Sequence, residues 1–148
     1  GLFRQASRNA GIIALALGSL GAGILAMNGH NELSRLYSAD QIIQEIEAEH
    51  GPFDPNAPFY SIEMHDQTLP FYLKRPVTLV QYINEFALGL AAEPGKGIAT
   101  VEDWKSGWQA LERGYAIMTP ANYLRFTAEG LPMHLLARDP RRVIVSRQ

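Results

Sequence analysis

An uncharged apolar run from Ala10 to Met27, AGIIALALGSLGAGILAM, constrains this chain more than any other feature. At about 1.5 Å per residue it makes a helix of about 27 Å, close to the ~30 Å hydrocarbon core of a bilayer. Gly18, Ser19, Gly21 and Gly23 are small residues of the kind found where membrane helices touch closely, so this helix is expected to pack against others. The competing readings are a signal peptide and the buried helix of a soluble core. Length, glycine content and the lack of an A-x-A-like cleavage site speak against the first. Arg4 and Arg8 flank the N-terminal side, which the positive-inside rule assigns to the cytoplasm. The expected organisation is a cytoplasmic flank over 1–9, a transmembrane helix over 10–27 and a single extracytoplasmic domain over 28–148.

Composition narrows what that domain can do. Setting aside Arg4 and Arg8 leaves 11 basic residues against 15 acidic, so the part after Asn28 carries about four net negative charges. That balance lacks the basic patch of a nucleic-acid binder. With no cysteine, disulfide scaffolds and cysteine-based zinc or iron–sulfur sites are excluded. Gly1 is not an initiator methionine, and the chain is expected to be the C-terminal portion of something longer.

The patterning after Asn28 alternates helix and strand. Ser38-Ala39-Asp40-Gln41 reads as a capping box opening a helix that carries Ile42, Ile43 and Ile46 and ends at Gly51-Pro52. Phe59 to Met64 reads as a strand, His65 to Leu73 holds a short helical stretch, and Val77 to Val80 reads as a second strand. In Asn84–Lys96, Phe86, Leu88 and Leu90 alternate before a loop at Glu93–Gly97. Thr100-Val101-Glu102-Asp103 is a second capping box, opening a helix with Trp104, Trp108 and Leu111 on one face. Tyr115 to Met118 is a third strand. Thr119 then caps a helix with Pro120 at its first position and Gly130 just past its end. Met133–Ala137 and Val143–Val145 are strands joined by the turn Arg138-Asp139-Pro140-Arg141. The order predicts an α/β fold: a small, mostly parallel sheet flanked by helices and ending in an antiparallel hairpin at one edge.

Signals of chemistry are sparse. None of His30, His50, His65 and His134 is paired at helical spacing, so each reads as a surface histidine rather than a metal ligand. No G-x-S-x-G, G-x-x-x-x-G-K or G-x-G-x-x-G is present, which argues against a small hydrolase or a nucleotide site. The Trp104/Trp108 stripe fits a sugar-stacking platform, but at helical spacing it fits a core better. Arg138, Arg141 and Arg142 surround the last turn, where a solvated turn is the favoured reading and contact with lipid phosphates the alternative. The run His65 to Pro76 directly follows a strand, where ligands bind in open α/β sheets. It offers a carboxylate, an amide, a phenol and a guanidinium in Asp66, Gln67, Tyr72 and Arg75. The competing reading is a structural turn whose polar groups cap one another. Candidate ligand-binding or docking residues are therefore Asp66, Gln67, Tyr72, Arg75, Arg141 and Arg142.

That run also carries a resemblance. Tyr60-Ser61, Asp66-Gln67-Thr68-Leu69-Pro70-Phe71-Tyr72-Leu73 and Arg75-Pro76-Val77-Thr78-Leu79-Val80 resemble the C-terminal ectodomain of bacterial polytopic membrane glycosyltransferases. These are the protein O-mannosyltransferase-like and aminoarabinose-transferase-like enzymes, some of which modify lipid A. Glu85 to Leu90, the helix start near Thr100 and the tail from Pro132-Met133 to Arg142-Val143 extend the likeness over roughly Ser38 to Arg147, plus the preceding helix. The resemblance implies a bacterial inner-membrane enzyme that transfers a sugar from a polyprenyl-phosphate carrier to a lipid or protein acceptor on the periplasmic side. It implies as partners the upstream membrane helices of the same protein, the polyprenyl-phosphate donor and the bilayer, and no nucleic acid. In that family the catalytic carboxylate sits in an early periplasmic loop, so this domain is expected to carry no catalytic residue, metal or cofactor. A divalent metal, if the whole enzyme uses one, would belong elsewhere. The alternative is a complete, single-span anchored periplasmic binding or interaction module.

Overall fold

The computed structural model describes residues 2–82 and 97–147. The chain forms two compact units, Gly1–Tyr37 and Ser38–Gln148.

The first unit is one helix, α1 (Leu2–Tyr37). Its stretch Arg8–Gly29 is long and apolar enough to cross a membrane, and every side chain in that stretch is exposed. Leu15, Leu25 and Met27 are each more than 70% exposed, an apolar surface that water does not favour. The helix runs past Met27 to Tyr37, and the second compact unit is Ser38–Gln148.

The second unit contains α2 (Asp40–His50), β1 (Phe59–Ile62), α3 (Leu69–Leu73), β2 (Thr78–Val80), β3 (Gly97–Ile98), α4 (Val101–Ala110), β4 (Gly114–Met118), α5 (Pro120–Ala128), β5 (His134–Arg138) and β6 (Val143–Arg147). The sheet order is β3-β2-β1-β4-β6-β5. β3, β2, β1 and β4 run parallel, β6 is antiparallel to β4, and β5 and β6 form the expected edge hairpin. β5 is exposed along much of its length and bears a bulge between Leu135 and Ala137.

Period-two alternation sorts the strand side chains into two layers. Ile62, Val80, Ala116, Met118, Val143 and Val145 face α4 and α5, where Trp104, Trp108 and Phe126 fill the core. Phe59, Ile117 and Ile144 face α2 and α3, meeting Ile42, Ile43, Ile46 and Leu69. Each fully buried aliphatic or aromatic side chain contributes about 1.5–3 kcal/mol of transfer free energy. Trp104 and Trp108 are 1% and 0% exposed, so the tryptophan stripe is core and not an open platform. Trp108 Nε1 donates to the Pro132 carbonyl at 2.9 Å, tying α4 to the segment before β5.

Local signals decide most boundaries. The Thr100 and Thr119 hydroxyls accept from the backbone N–H groups of Asp103 and Asn122, as their capping signatures predict. Gly130 lies at φ 74°, a left-handed residue just past α5. The short helical stretch expected within His65–Leu73 is Leu69–Leu73, preceded by a turn that Asp66 holds. Two expectations differ from the structure. The capping box at Ser38 does not form: Ala39 is the N-cap, without a side-chain cap bond. Gly97-Ile98, read as the end of a loop and its flank, adds a two-residue strand beside β2. The alternating stretch within Asn84–Lys96 lies outside the described residues.

Candidate functional site

Asp66, four residues beyond β1, organises the carboxyl end of the sheet. Its Oδ1 accepts from Thr68 N at 2.9 Å, Thr68 Oγ1 at 2.6 Å and Leu69 N at 3.2 Å, which makes it the cap of the turn into α3. Its Oδ2 accepts from Arg142 Nη1 at 2.6 Å. Burial pushes this carboxyl up, but hydrogen bonds from Thr68 and Arg142 outweigh it and hold Asp66 below the ordinary carboxylate range.

Arg142 is the hub. It is 3% exposed, and each guanidinium nitrogen has its own partner. Nε donates to Asp139 Oδ2 at 2.7 Å, Nη1 to Asp66, and Nη2 to the Ser38 carbonyl at 2.8 Å. Asp139 Oδ1 in turn accepts from the N–H groups of Arg141 and Arg142, folding the β5–β6 turn around it. Ser38 Oγ donates to Tyr72 OH at 3.1 Å, and Ala39 N donates to Thr68 Oγ1 at 2.8 Å. The start of the domain, α3 and the hairpin turn are thus joined through one buried guanidinium, in a geometry that only arginine's rigid fork supplies.

The six predicted candidates separate. Tyr72 and Arg142 both bond to Ser38, and Asp66 joins the group through Arg142. Gln67 and Arg141 are exposed. Arg75 lies elsewhere: Nη1 donates at 2.8 Å to the carbonyls of Asp54 and Ala57, and the guanidinium stacks over Phe59 and Tyr115. Burial pulls its pKa down, against the opposing pull of Tyr115 and Asp54. Arg75 pins the Pro-rich turn before β1. The placement of Arg142 departs from the reading of 138–142 as a solvated turn, since Arg142 points inward to a carboxylate.

A second polar group lies past the ends of β1 and β2. Glu63 and Gln81 occupy the left-handed region at φ 52° and 51°, costly for residues with a Cβ. Their side chains bond to each other at 3.0 Å, and Arg125 of α5 pairs with Glu63 at 2.7 Å. Gln81 Oε1 also accepts from Val101 N at the start of α4. Successive connections leave β1 towards β2 and return to β4 on its other side, so the sheet's topological switch lies between β1 and β4. Sequence reasoning missed this group, and the only signal in the chain is position: Glu63 and Gln81 immediately follow apolar strand runs.

A cavity of about 240 Å³ at the opposite end is lined by residues including His50, Asp54, Arg113 and Tyr115. Asp54 is held below the ordinary carboxylate range, chiefly by the backbone N–H of Asn56 and against the upward push of burial, with help from Arg113 at 3.2 Å. His50 and His134 are exposed and His65 is half-buried. No group of three or more His, Cys, Asp or Glu side chains able to hold a metal occurs among the described residues.

Comparison with known proteins agrees with this domain architecture. Residues 42–147 match the model of the aminoarabinose transferase C-terminal domain. No sequence among curated proteins matches the chain. Two solved structures of ArnT from Cupriavidus metallidurans, one bound to undecaprenyl phosphate and one in the apo state, superpose with a TM-score of 0.71 at 33% identity. Each covers 81% of this chain, whereas the chain covers 21% and 22% of those proteins, about a fifth of their length. With a family match over most of its length and this fold, the chain belongs to the aminoarabinose transferase C-terminal domain family.

Proposed function

We propose that this chain is the extracytoplasmic accessory domain, with its preceding membrane helix, of a bacterial inner-membrane glycosyltransferase. The whole enzyme transfers a sugar from a polyprenyl-phosphate carrier to a lipid or protein acceptor on the periplasmic side, with lipid A modification as the nearest chemistry. The domain contributes no catalytic group. The observation that carries this reading is the 33% identity, over 81% of the chain, to a transferase solved with undecaprenyl phosphate. The exposed apolar stretch Arg8–Gly29 supports the membrane anchor, since lipid is the solvent it suits. The polar groups of the domain support a structural role, because Asp66, Arg142 and Asp139 are spent on one another.

The test is a transfer assay with a polyprenyl-phosphate-linked aminopentose donor and a lipid A acceptor. The isolated chain in nanodiscs transfers nothing, and the full membrane protein that carries this sequence transfers the sugar. Transfer by the isolated chain would make the domain catalytic and end this reading, as would a full protein inert towards every polyprenyl-linked sugar offered.

A further inference from the structure

The cavity at the amino end of β4 has no part in an accessory, structural role. Its volume of about 240 Å³ equals about eight waters at ~30 Å³ each, room for one substituted ring and for nothing the size of a nucleotide. α2 ends on it through Ile46 and His50, the Pro-rich turn closes it with Phe53 and Asp54, and the sheet lines it with Tyr115 and Ser146. Tyr115 and Ser146 are paired across the ladder, two residues from Ile117 and Ile144, which face α2. Both side chains therefore point to the cavity side of the sheet.

Two polar groups in this lining keep capacity for a ligand. Ser146 is 2% exposed, and its Oγ has no hydrogen-bond partner among the described residues, a state that buried hydroxyls rarely keep. Asp54 is held on three sides: its N–H donates to Tyr115 OH at 3.2 Å, its carbonyl accepts from Arg75 at 2.8 Å, and its Oδ1 accepts from Asn56 N at 2.9 Å. Its Oδ2 accepts from Arg113 Nη1 at 3.2 Å, long for a charge-assisted bond, and that bond uses one of the five N–H groups of a guanidinium that is 64% exposed. A carboxylate in the lining repels anions, and Arg147, which also lines the cavity, already has a partner. The cavity thus presents a carboxylate acceptor beside guanidinium donors, a buried hydroxyl, and apolar surface from Ile46, Phe53 and Leu136. Neighbouring hydroxyls on a ring with C–H faces complement that set, since each hydroxyl both donates and accepts. We propose that this cavity binds a single neutral hydroxylated ring, a monosaccharide unit, with Asp54 and Arg113 on adjacent hydroxyls and Ser146 on a third. The inference goes beyond the reading under Proposed function and stands or falls without it, because the cavity lies wholly within the second unit.

The full 148-residue chain, isotope-labelled in micelles of a sugar-free zwitterionic detergent, is titrated while its amide shifts are followed by NMR. The probes are the methyl glycosides of glucose, galactose, mannose and xylose and, separately, inorganic phosphate. The proposal expects saturable binding of at least one glycoside, with shifts clustered at Asp54, Arg113 and Ser146. Arg113→Gln and Ser146→Ala should each weaken it at least fivefold. Arg113 is exposed, so an unchanged thermal midpoint for Arg113→Gln separates lost binding from lost folding. The bound sugar carried on a micelle-inserted alkyl chain then serves as competitor: competition assigns the ring to a lipid-linked sugar, its absence to a soluble one, and either keeps the class. No saturable shift with any glycoside leaves the cavity to water and overturns the proposal. Phosphate that moves these amides where the glycosides do not makes this an anion site and overturns the class. Glycoside shifts clustered away from the cavity, or surviving both substitutions in folded protein, overturn the placement.

Discussion

Arg142 Nη1 lies 2.6 Å from Asp66 Oδ2, a buried ion pair that joins residues 76 positions apart in the chain. Through Nη2 and Nε the same guanidinium holds Ser38 and Asp139. Removing the arginine takes one donor each from the buried Asp66 carboxylate, the partly exposed Asp139 carboxylate and the Ser38 carbonyl. Arg142→Ala is therefore expected to cost about 3–5 kcal/mol, the usual penalty for breaking a buried pair from one side. Arg142→Lys recovers only part of this, since one nitrogen cannot reach three acceptors that are spaced for the three nitrogens of the guanidinium. Denaturant unfolding followed by tryptophan fluorescence measures both, and a cost under about 1 kcal/mol for Arg142→Ala would show that the pair is not a clamp.

The depressed pKa of Asp66 sets a pH dependence with a definite sign. Its folded value lies below the ordinary 3.8, so between the two the unfolded chain binds more protons than the folded one. The stability Asp66 contributes is full above about pH 4 and is lost as pH falls through the folded value. Comparing unfolding midpoints of the wild type and Asp66→Asn from pH 7 to pH 3, the two curves should converge on acidification. A gap that stays constant with pH would contradict the assignment.

The two core tryptophans should respond differently to loss of their N–H. Trp108 Nε1 donates to Pro132 O, whereas Trp104 Nε1 is buried with no hydrogen-bond partner among the described residues. Trp108→Phe removes the donor to the Pro132 carbonyl and is expected to cost about 1 kcal/mol more than Trp104→Phe. Equal costs in thermal or denaturant unfolding would refute this difference.

The elements legible in the sequence are those fixed by neighbours. Short runs rich in apolar and aromatic residues placed β1, β4 and β6, and the hydroxyls of Thr100 and Thr119 placed the starts of α4 and α5, because each cap bonds a backbone N–H three residues on. What was not legible depends on distant partners. Ser38-Ala39-Asp40-Gln41 has the local form of a capping box, yet Ser38 Oγ turns to Tyr72 and Ala39 N to Thr68. Arg142 reads as a solvated turn arginine until Asp66 is brought beside it. Arg75 sits five residues from Pro70 in the motif and still serves the opposite end of the sheet. β3, with two residues, is too short to carry a period.

Helix α4 offers a local test of the capping argument. Thr100 Oγ1 accepts from Asp103 N at 3.1 Å and donates to Asp103 Oδ2 at 2.6 Å. Thr100→Ala is expected to cost about 1 kcal/mol, and Thr100→Ser to recover most of it. A serine variant as unstable as the alanine one would assign the loss to the methyl group instead.

The central claim is that the domain belongs to a polyprenyl-phosphate-dependent glycosyltransferase and supports its reaction without performing it. The most direct measurement is sugar transfer by the full membrane protein carrying this sequence, intact and with residues 38–148 deleted, under saturating undecaprenyl-phosphate-linked donor. The account predicts that the intact protein transfers the sugar, that the deleted protein remains in the membrane, and that its transfer falls at least tenfold. Undiminished transfer after deletion, or none by the intact protein with any polyprenyl-linked sugar, would contradict it.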